Sequence, residues 1–324
     1  MATYKEIFGT NIEVLASDPA NPVQGQVWYN STDNVVKGFG VTGIGAWSTG
    51  ADMNSAKNFL AGAGTQTSAL AFGGSGPIAL TESYDGTSWT EVNDLNTGRS
   101  SLAGAGADNT SALAFGGSGP TAVTESWNAT CWSEVNDLNT ARTNLAGAGT
   151  NTSALAFGGN PGPTAITESW NGTCFSEVAD LNLARYGLGG VGEDNTSALA
   201  FSGINPIGVD GRVTNTETWN GTSWTEVNDV NTGRWGLAGA GTATDALGFG
   251  GEGPPFLGNT EQWNGTCWTE VADLSLGRYG LAGAGNTTAG LAFGGDGSPP
   301  GSALANTEEW NALGSPTTVT FTDS

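Results

Sequence analysis

The residues of this chain that could do chemistry recur at one spacing, as an aspartate followed five positions later by a basic residue. Six of the nine Lys and Arg residues occupy this slot, although the chain carries 31 acidic residues. A basic residue kept in each copy predicts a partly buried ion pair that links repeats and donates hydrogen bonds to loop carbonyls. A ring of cationic ligand contacts is the alternative interpretation. The pairs are Asp52/Lys57, Asp94/Arg99, Asp137/Arg142, Asp180/Arg185, Asp229/Arg234 and Asp273/Arg278.

Other reactive groups are scarce. The chain contains no His, which removes the commonest metal ligand and general base. Cys131, Cys174 and Cys267 stand at equivalent places in three repeats, so we expect them to be free thiols, too far apart to form a disulfide. A glutamate that recurs in each repeat, first as Glu82, offers oxygen ligands for Ca²⁺. Because no Asp-x-Asp-x-Asp loop accompanies it, we expect no metal and no cofactor.

A Phe-Gly-Gly motif, with Ser in place of the first Gly in one copy, occurs six times. Successive copies begin 42 to 48 residues apart. A period of this length, rich in strand and turn signals, is typical of propellers and solenoids. The copies begin at Phe72, Phe115, Phe157, Phe201, Phe249 and Phe293.

The repeat over residues 142–178 shows the predicted local structure. A Gly/Ala strand comes first, a second strand ends at Gly158-Gly159, and Asn171-Gly172 is a strong hairpin signal between the third and fourth strands. Four short antiparallel strands predict one blade of a β-propeller, whose crowded innermost strand requires small residues. The four predicted strands are 145–149, 153–157, 167–170 and 174–178.

Aromatic residues occupy two slots, one on each side of the hairpin turn, and these slots hold ten of the twelve tryptophans. We expect the two slots to be diagonal neighbours on one sheet face, forming the core between repeats. The first slot holds Tyr84, Trp127, Trp170, Trp219, Trp263 and Trp310, and the second holds Trp47, Trp89, Trp132, Phe175, Trp224 and Trp268.

The two ends of the repeat region complement each other. Residues 47–57 align without gaps onto residues 89–99, so they contain a fourth strand with no repeat of its own, while the last repeat ends near Trp310 without one. The sequence therefore predicts an all-β, six-bladed propeller with four antiparallel strands per blade. The N-terminal strand closes the last blade and removes exposed sheet edges. A strand within 317–322 would compete with it or add to it.

The order of Arg, small-residue strand, Phe-Gly-Gly, Glu-x-Trp/Tyr-Asn-Gly and Trp resembles the kelch repeat over residues 47–310. That family pairs a Tyr with a Trp on its third and fourth strands, whereas here a Trp mostly replaces the Tyr, and Ser202 replaces one glycine. Kelch propellers include copper radical oxidases, whose copper site needs the His that this chain lacks. The resemblance therefore implies a kelch-like binding module that is not an enzyme.

The N-terminal region differs from the repeats. Residues 1–24 are polar and punctuated by proline and predict an extended attachment arm, and residues 25–46 predict a small β-hairpin and linker with a turn at Asp33-Asn34. Residues 311–324 are assigned to a C-terminal tail. The run from Asp18 to Asn30 resembles N-terminal segments of structural proteins from tailed phages, especially marine phages, which implies docking on a virion. The attachment candidates are Ile7, Ile12, Val14, Leu15 and Trp28.

The repeats differ most in the loop between their second and third strands, which is longest at 204–215, 252–259 and 296–306. In a four-stranded blade this loop lies on the same face as the link to the next repeat, where additional aromatics such as Phe59 follow the basic slot. Variable loops on a rigid scaffold commonly carry binding residues. We expect a surface there suited to stacking on sugars or peptide, and packing beneath the loops is the alternative. The candidates are Tyr186, Arg212, Trp235, Phe256 and Tyr279.

The net charge of −22 disfavours partners such as nucleic acid or anionic membrane, and no apolar run predicts membrane insertion. The leading hypothesis is a non-enzymatic virion structural protein, a tail, tail-fibre or capsid-surface component assembled in the host cytoplasm. Its arm would bind other virion proteins and its propeller would adhere to a host surface or glycan, with homo-oligomer formation left open. The alternatives are a free lectin-like or protein-binding kelch propeller of a marine bacterium and, less favoured, a propeller enzyme acting on polysaccharide.

Overall fold

The computed structural model describes residues 12–20, 26–40, 45–206, 211–253, 256–297, 301–312 and 317–321. The secondary structure of these residues consists of β-strands. Within these ranges there is no helix with the length and apolar character needed to cross a membrane. The chain forms two compact units, a smaller one of Met1–Ala46 with Ala312–Ser324 and a larger one of Trp47–Asn311.

The smaller unit contains a four-stranded sheet. Its order is β1 (Glu13–Leu15), β2 (Val27–Asn30), β3 (Val35–Gly40) and β30 (Thr317–Phe321). β1 is parallel to β2, and the other neighbours are antiparallel. The turn between β2 and β3 includes Asn34 at a φ of 58°, a conformation that Asn tolerates better than most residues. The C-terminal segment, assigned above to a tail, thus contributes a strand to this sheet.

Trp28 is a core residue of the smaller unit rather than a surface contact. Its side chain is fully buried, and its indole N–H donates to Asp18 Oδ1 at 3.0 Å. Asp18 also pairs with Lys37 at 2.9 Å and accepts from Asn30 at 2.8 Å, and these contacts, Lys37 first, lower the pKa of Asp18 to about 2. The attachment assignment of Trp28 is corrected, because a buried ring cannot touch a partner.

The other attachment candidates lie near the edge strand β1. Val14 is 66% exposed on that strand, Leu15 is half-buried beside it, and Ile12 precedes it and is also half-buried. Ile7 lies outside the described residues. Of the candidates that the structure describes, Val14 therefore offers the largest exposed apolar surface.

The larger unit contains six four-stranded antiparallel sheets, one for each repeat. Within each sheet the four strands lie side by side in the order in which they occur in the chain. The exception is the last sheet, whose fourth strand is β4 (Ala46–Thr49), from the start of the repeat region. Sheet 1 consists of β5 (Ala61–Thr65), β6 (Ser68–Phe72), β7 (Thr81–Tyr84) and β8 (Trp89–Val92), and sheet 2 of β9 (Ala103–Asp108), β10 (Ser111–Phe115), β11 (Thr124–Trp127) and β12 (Trp132–Glu134). Sheet 3 consists of β13 (Ala146–Gly149), β14 (Ala154–Phe157), β15 (Thr167–Trp170) and β16 (Phe175–Glu177), and sheet 4 of β17 (Gly189–Asp194), β18 (Ser197–Phe201), β19 (Thr216–Trp219) and β20 (Trp224–Val227). Sheet 5 consists of β21 (Ala238–Gly241), β22 (Ala246–Phe249), β23 (Thr260–Trp263) and β24 (Trp268–Glu270), and sheet 6 of β25 (Ala282–Gly285), β26 (Ala289–Phe293), β29 (Thr307–Asn311) and β4. A short ribbon of β27 (Asp296–Gly297) and β28 (Ser302–Ala303) lies between β26 and β29.

The core lies between sheets. The Phe of each Phe-Gly-Gly packs on the second-slot aromatic of the next sheet, as Phe72 does on Trp132 with ring centroids 4.9 Å apart. The sixth of these contacts joins Phe293 of sheet 6 to Trp89 of sheet 1 at 5.0 Å. Within a sheet, the paired aromatics lie directly opposite each other rather than diagonally, as the register of Trp127 with Trp132 shows.

The innermost strands consist mainly of Gly and Ala because the neighbouring sheet leaves no room for larger side chains. A Cβ built on Gly147 of β13 would lie 2.6 Å from the carbonyl oxygen of Gly104 and 2.7 Å from Cζ of Phe115, both in sheet 2. Carbon atoms do not approach that closely, so an alanine here would force sheets 2 and 3 apart. The Gly/Ala composition of these strands thus follows from the spacing of the sheets.

The predicted partners within Asp-x4-Arg are wrong. Arg99 binds Glu125 on the third strand of the sheet that follows it, whereas Asp94 accepts the amide of Thr81 in its own sheet at 3.1 Å. The reason is geometric, because the Arg side chain runs into the next sheet while the Asp side chain turns back. The same holds for Asp137, Asp180, Asp229 and Asp273, which accept Thr124, Thr167, Thr216 and Thr260 amides. The buried ion pairs are Lys57–Glu82 at 2.6 Å, Arg99–Glu125 at 2.9 Å, Arg142–Glu168 at 2.8 Å, Arg185–Glu217 at 2.9 Å, Arg234–Glu261 at 3.0 Å and Arg278–Glu308 at 3.0 Å.

Candidate functional site

Six backbone hydrogen bonds join the links that lead into the six sheets. In each link the second residue after the basic slot donates its N–H to the carbonyl of the same position in the preceding sheet, and Phe59 of sheet 1 donates to Gly280 of sheet 6. The N–H···O distances are 2.6 to 2.8 Å. We call this set the mouth circuit, because it surrounds a cavity of about 100 Å³ at the loop-side end of the innermost strands. Its members are Phe59, Ser101, Asn144, Gly187, Gly236 and Gly280.

All six members of the mouth circuit have a positive φ, between 52° and 62°. Glycine adopts this conformation without steric strain, and three members are glycine. The other three, Phe59, Ser101 and Asn144, hold it at φ values of 52°, 53° and 53°. Asn tolerates this conformation, as at Asn34, whereas Phe and Ser side chains are strained in it, and such strain is concentrated at functional sites.

Four aromatic side chains pack together beside this cavity, and we call them the aromatic arc. Tyr279 lies at its centre, with ring centroids 5.4 Å from Phe59, 5.4 Å from Trp235 and 4.7 Å from Phe256. Phe59 and Trp235 are stacked with centroids 6.1 Å apart. All four are half-buried, so each presents part of its surface to solvent.

The aromatic arc lies over the glycines of the mouth circuit. A Cβ on Gly187 would lie 3.1 Å from Trp235, and one on Gly280 would lie 3.1 Å from Phe59. On Gly236 it would lie 3.4 Å from Tyr279. The rings of Trp235, Tyr279 and Phe59 therefore each cover the circuit position of the preceding sheet, which explains why those three positions are glycine.

Trp235 differs from the other tryptophans in its hydrogen bonding. Each of the other eleven donates its indole N–H to a side chain or a carbonyl, as Trp132 does to Thr81 Oγ1 at 3.0 Å. Within the described residues, the indole N–H of Trp235 and the hydroxyl of Tyr279 have no protein partner. A half-buried donor without an acceptor beside an aromatic surface is available to a ligand.

Charged groups flank the aromatic arc. Glu252 pairs with the backbone of Trp235, and its carboxylate lies 3.8 Å from the guanidinium of Arg212. Asp296 accepts the amides of Gly301 and Ser302 at 2.8 and 3.0 Å, so this carboxylate orders its own loop. Burial, then Asp296 and Glu252, raise the pKa of Tyr279, so its hydroxyl stays protonated at neutral pH. Among the described residues no group of three or more Cys, Asp or Glu side chains is placed to hold a metal ion.

The predicted recognition residues are partly brought together. Trp235, Phe256 and Tyr279 form the aromatic arc with Phe59, and Arg212 joins them through Glu252. Tyr186 is half-buried and pairs through its backbone with Ile204. The sequence reasoning left out Ser101 and Asn144 and used Phe59 only as an additional aromatic. The available signal was the second residue after the basic slot, which is bulky or polar in three repeats and Gly in the other three.

Comparison with known proteins adds information on the fold. No protein-family model matches this sequence, and no curated protein matches it. The chain is similar to the solved structure of YjhT, with a TM-score of 0.67 and 13% identity, over 80% of this chain and 96% of that chain. YjhT has a β-propeller-type fold, and at 13% identity the likeness extends to the fold alone. Together with the four-stranded antiparallel sheets, it shows that this chain has a β-propeller-type fold.

Proposed function

We propose that the larger unit is a closed, six-bladed, kelch-like propeller, with the six sheets as its blades. Three observations support closure between sheets 6 and 1. The mouth circuit returns from Gly280 to Phe59, the Phe293–Trp89 contact repeats the packing found between the other sheets, and the Lys57–Glu82 pair joins the same two sheets. In this proposal, β4 is the strand that closes the sixth blade.

We further propose that this propeller is a non-enzymatic adhesion module that binds a glycan or another host-surface ligand at its loop-side mouth. The observation that carries this proposal is the half-buried aromatic arc, together with the indole N–H of its member Trp235, which has no protein partner among the described residues. The other tryptophans of the blades are buried or hydrogen-bonded within the fold, so they serve the core. A cleft with an aromatic surface and a few unpaired polar groups is typical of ligand sites.

The smaller unit is proposed to attach this module to a virion, as part of a tail, tail fibre or capsid surface. Support comes from the phage-like run between Asp18 and Asn30 and from Val14, which is 66% exposed on the edge strand β1. An edge strand with unpaired backbone groups can add to a sheet of another protein. The partners in this proposal are other virion proteins on one side and a host surface on the other.

Adhesion is tested by replacing Trp235 with alanine and measuring binding to host cells and to an array of glycans. We expect at least tenfold weaker binding, about 1.4 kcal/mol, because the stacking surface and the free indole N–H are both removed. Leu276→Ala is the control, since Leu276 presents apolar surface to solvent, at 39% exposure, and is not part of the aromatic arc. Equal binding by wild type and Trp235→Ala would overturn the assignment of the mouth as the adhesion site.

Attachment is tested separately by cryo-electron microscopy of the native particle. Density for residues 1–46 clamped against a capsid or tail protein is the expected result. A smaller unit that contacts no particle protein would overturn the virion proposal and favour a free lectin-like propeller.

A further inference from the structure

The mouth circuit is unevenly divided around the cavity. Gly187, Gly236 and Gly280 occupy one half, and each is covered by a ring of the aromatic arc. Consecutive members Ser101 and Asn144 lie in the other half, joined by the bond from the Asn144 N–H to the Ser101 carbonyl at 2.8 Å. Phe59 is the one aromatic among the described residues that line the cavity, whereas Trp235 and Tyr279 lie next to the lining residues Gly187 and Gly236. The mouth thus has aromatic rings along one part of its edge and a hydroxyl and an amide along another.

Among the described residues, no side-chain hydrogen bond explains why Ser101 and Asn144 stand at positions where three equivalent links have glycine. Both residues hold a φ of 53°, where three equivalent sheets use glycine at 59° to 62°. Within the described residues neither side chain makes a hydrogen bond to the protein, and both are half-buried at the cavity. Residues that replace glycine at a positive φ and leave hydrogen-bonding groups unused at a cavity point to ligand contact.

The aromatic and the polar groups of the mouth are complementary to two parts of a sugar ring, its C–H face and its hydroxyl rim. A pyranose presents C–H groups on one face, suited to an aromatic surface, and hydroxyls around its rim, suited to a serine hydroxyl and an amide. Phe59 and Trp235 are only 6.1 Å apart, so no cation fits between them, which argues against a cage for a quaternary ammonium group.

We propose that the mouth binds one pyranose unit of an uncharged glycan, with its C–H face on Trp235 and Tyr279 and its hydroxyls on Ser101 and Asn144. This proposal rests on the proposed adhesion function and assigns the ligand class and two further contact residues. In this proposal the ligand is uncharged, because the chain has a net charge of −22 and the carboxylates of Glu252 and Asp296 lie near Tyr279, with Arg212 offsetting part of the charge of Glu252.

The test uses the full chain with neutral hexasaccharides of glucose, galactose and mannose, uronic-acid hexasaccharides, and a library of uncharged peptides. We expect binding to at least one neutral sugar and none to the uronic acids at physiological salt. Ser101→Gly and Asn144→Gly should each weaken that binding about five- to tenfold, the loss expected for one hydrogen bond. Because glycine relieves the positive φ, both variants should unfold at a temperature equal to or above that of the wild type.

Ala129→Gly is the matched control, since Ala129 has a φ of 71° in the exposed turn between β11 and β12, at the opposite end of the strands from the mouth. It should leave sugar binding unchanged. If Trp235→Ala abolishes binding while Ser101→Gly and Asn144→Gly bind as the wild type does, the adhesion function stands and the contact assignment is overturned. Preference for uronic acids or for peptides overturns the ligand class, and a sugar that binds regardless of Trp235 overturns the proposed function as well.

Discussion

Replacing Arg142 with lysine isolates the contribution of the hydrogen bonds from the buried guanidinium to backbone carbonyls. Arg142 Nη2 contacts Glu168 at 2.8 Å, and Nη1 donates to the carbonyls of Gly158 and Ile166 at 3.0 and 2.7 Å. The natural lysine in this slot, Lys57, makes one side-chain hydrogen bond, to Glu82 at 2.6 Å. We therefore expect Arg142→Lys to keep the carboxylate contact and to lose both bonds to carbonyls.

The size of the effect follows from those two bonds. A hydrogen bond to a charged group contributes about 1.5–3 kcal/mol, and both carbonyls lie where water cannot readily replace the guanidinium. At the lower end of that range, the free energy of unfolding should fall by about 3 kcal/mol. For a unit of this size the melting temperature should fall by about 6–12 °C.

Chemical and thermal unfolding, followed by circular dichroism, measure this difference. Arg212→Lys is the control, because Arg212 lies outside the six buried slots and its pair with Glu252, at 3.8 Å, is partly exposed, so a smaller change than for Arg142→Lys is expected. If Arg142→Lys unfolds within about 0.5 kcal/mol of the wild type, the bonds to the carbonyls contribute little and the reasoning fails.

Two further predictions concern the inner strands and the smaller unit. Gly147→Ala should lower the free energy of unfolding by about 1–3 kcal/mol or more in urea, because its Cβ would lie 2.6 Å from the Gly104 oxygen; a neutral substitution would show that the sheets can separate freely. The smaller unit should lose stability as the pH falls from 3.8 to about 2, because Asp18 is stabilised as a carboxylate in the folded state and its pKa is lowered to about 2. Carbon-13 NMR of the Asp18 carboxyl measures its pKa in the folded protein, and a titration midpoint near 3.8 would contradict the prediction. Asp18→Asn is expected to remove this loss of stability at low pH.

The strands of the repeats could be predicted because their signals are local. The third strand of the repeat over residues 142–178 was predicted at 167–170 and is observed as Thr167–Trp170, and the fourth is shortened to Phe175–Glu177. Glycine runs, Asn-Gly turns and alternating aromatic residues determine the conformation of the few residues around them, so these signals can be recognised in a single sequence. The fourth strand of sheet 6 was also predictable, because residues 47–57 repeat residues 89–99.

The ion pairs and the mouth circuit could not be predicted in the same way. Arg99 and Asp94 are close in sequence, but the true partner, Glu125, lies 26 residues further on and is brought close by the packing of the next sheet. Ser101 and Asn144 give no local sign of a positive φ, because these residue types do not require it. Their role depends on hydrogen bonds between links more than 40 residues apart in the chain, as with Ser101 and Phe59.

The location of the ligand tests the account most directly. The measurement is a crystal structure of the full chain with the neutral hexasaccharide that binds best. The account predicts density for one sugar ring against Trp235 and Tyr279, with hydroxyls within hydrogen-bond distance of Ser101 and Asn144. A sugar bound elsewhere on the protein, with the mouth empty, would contradict it.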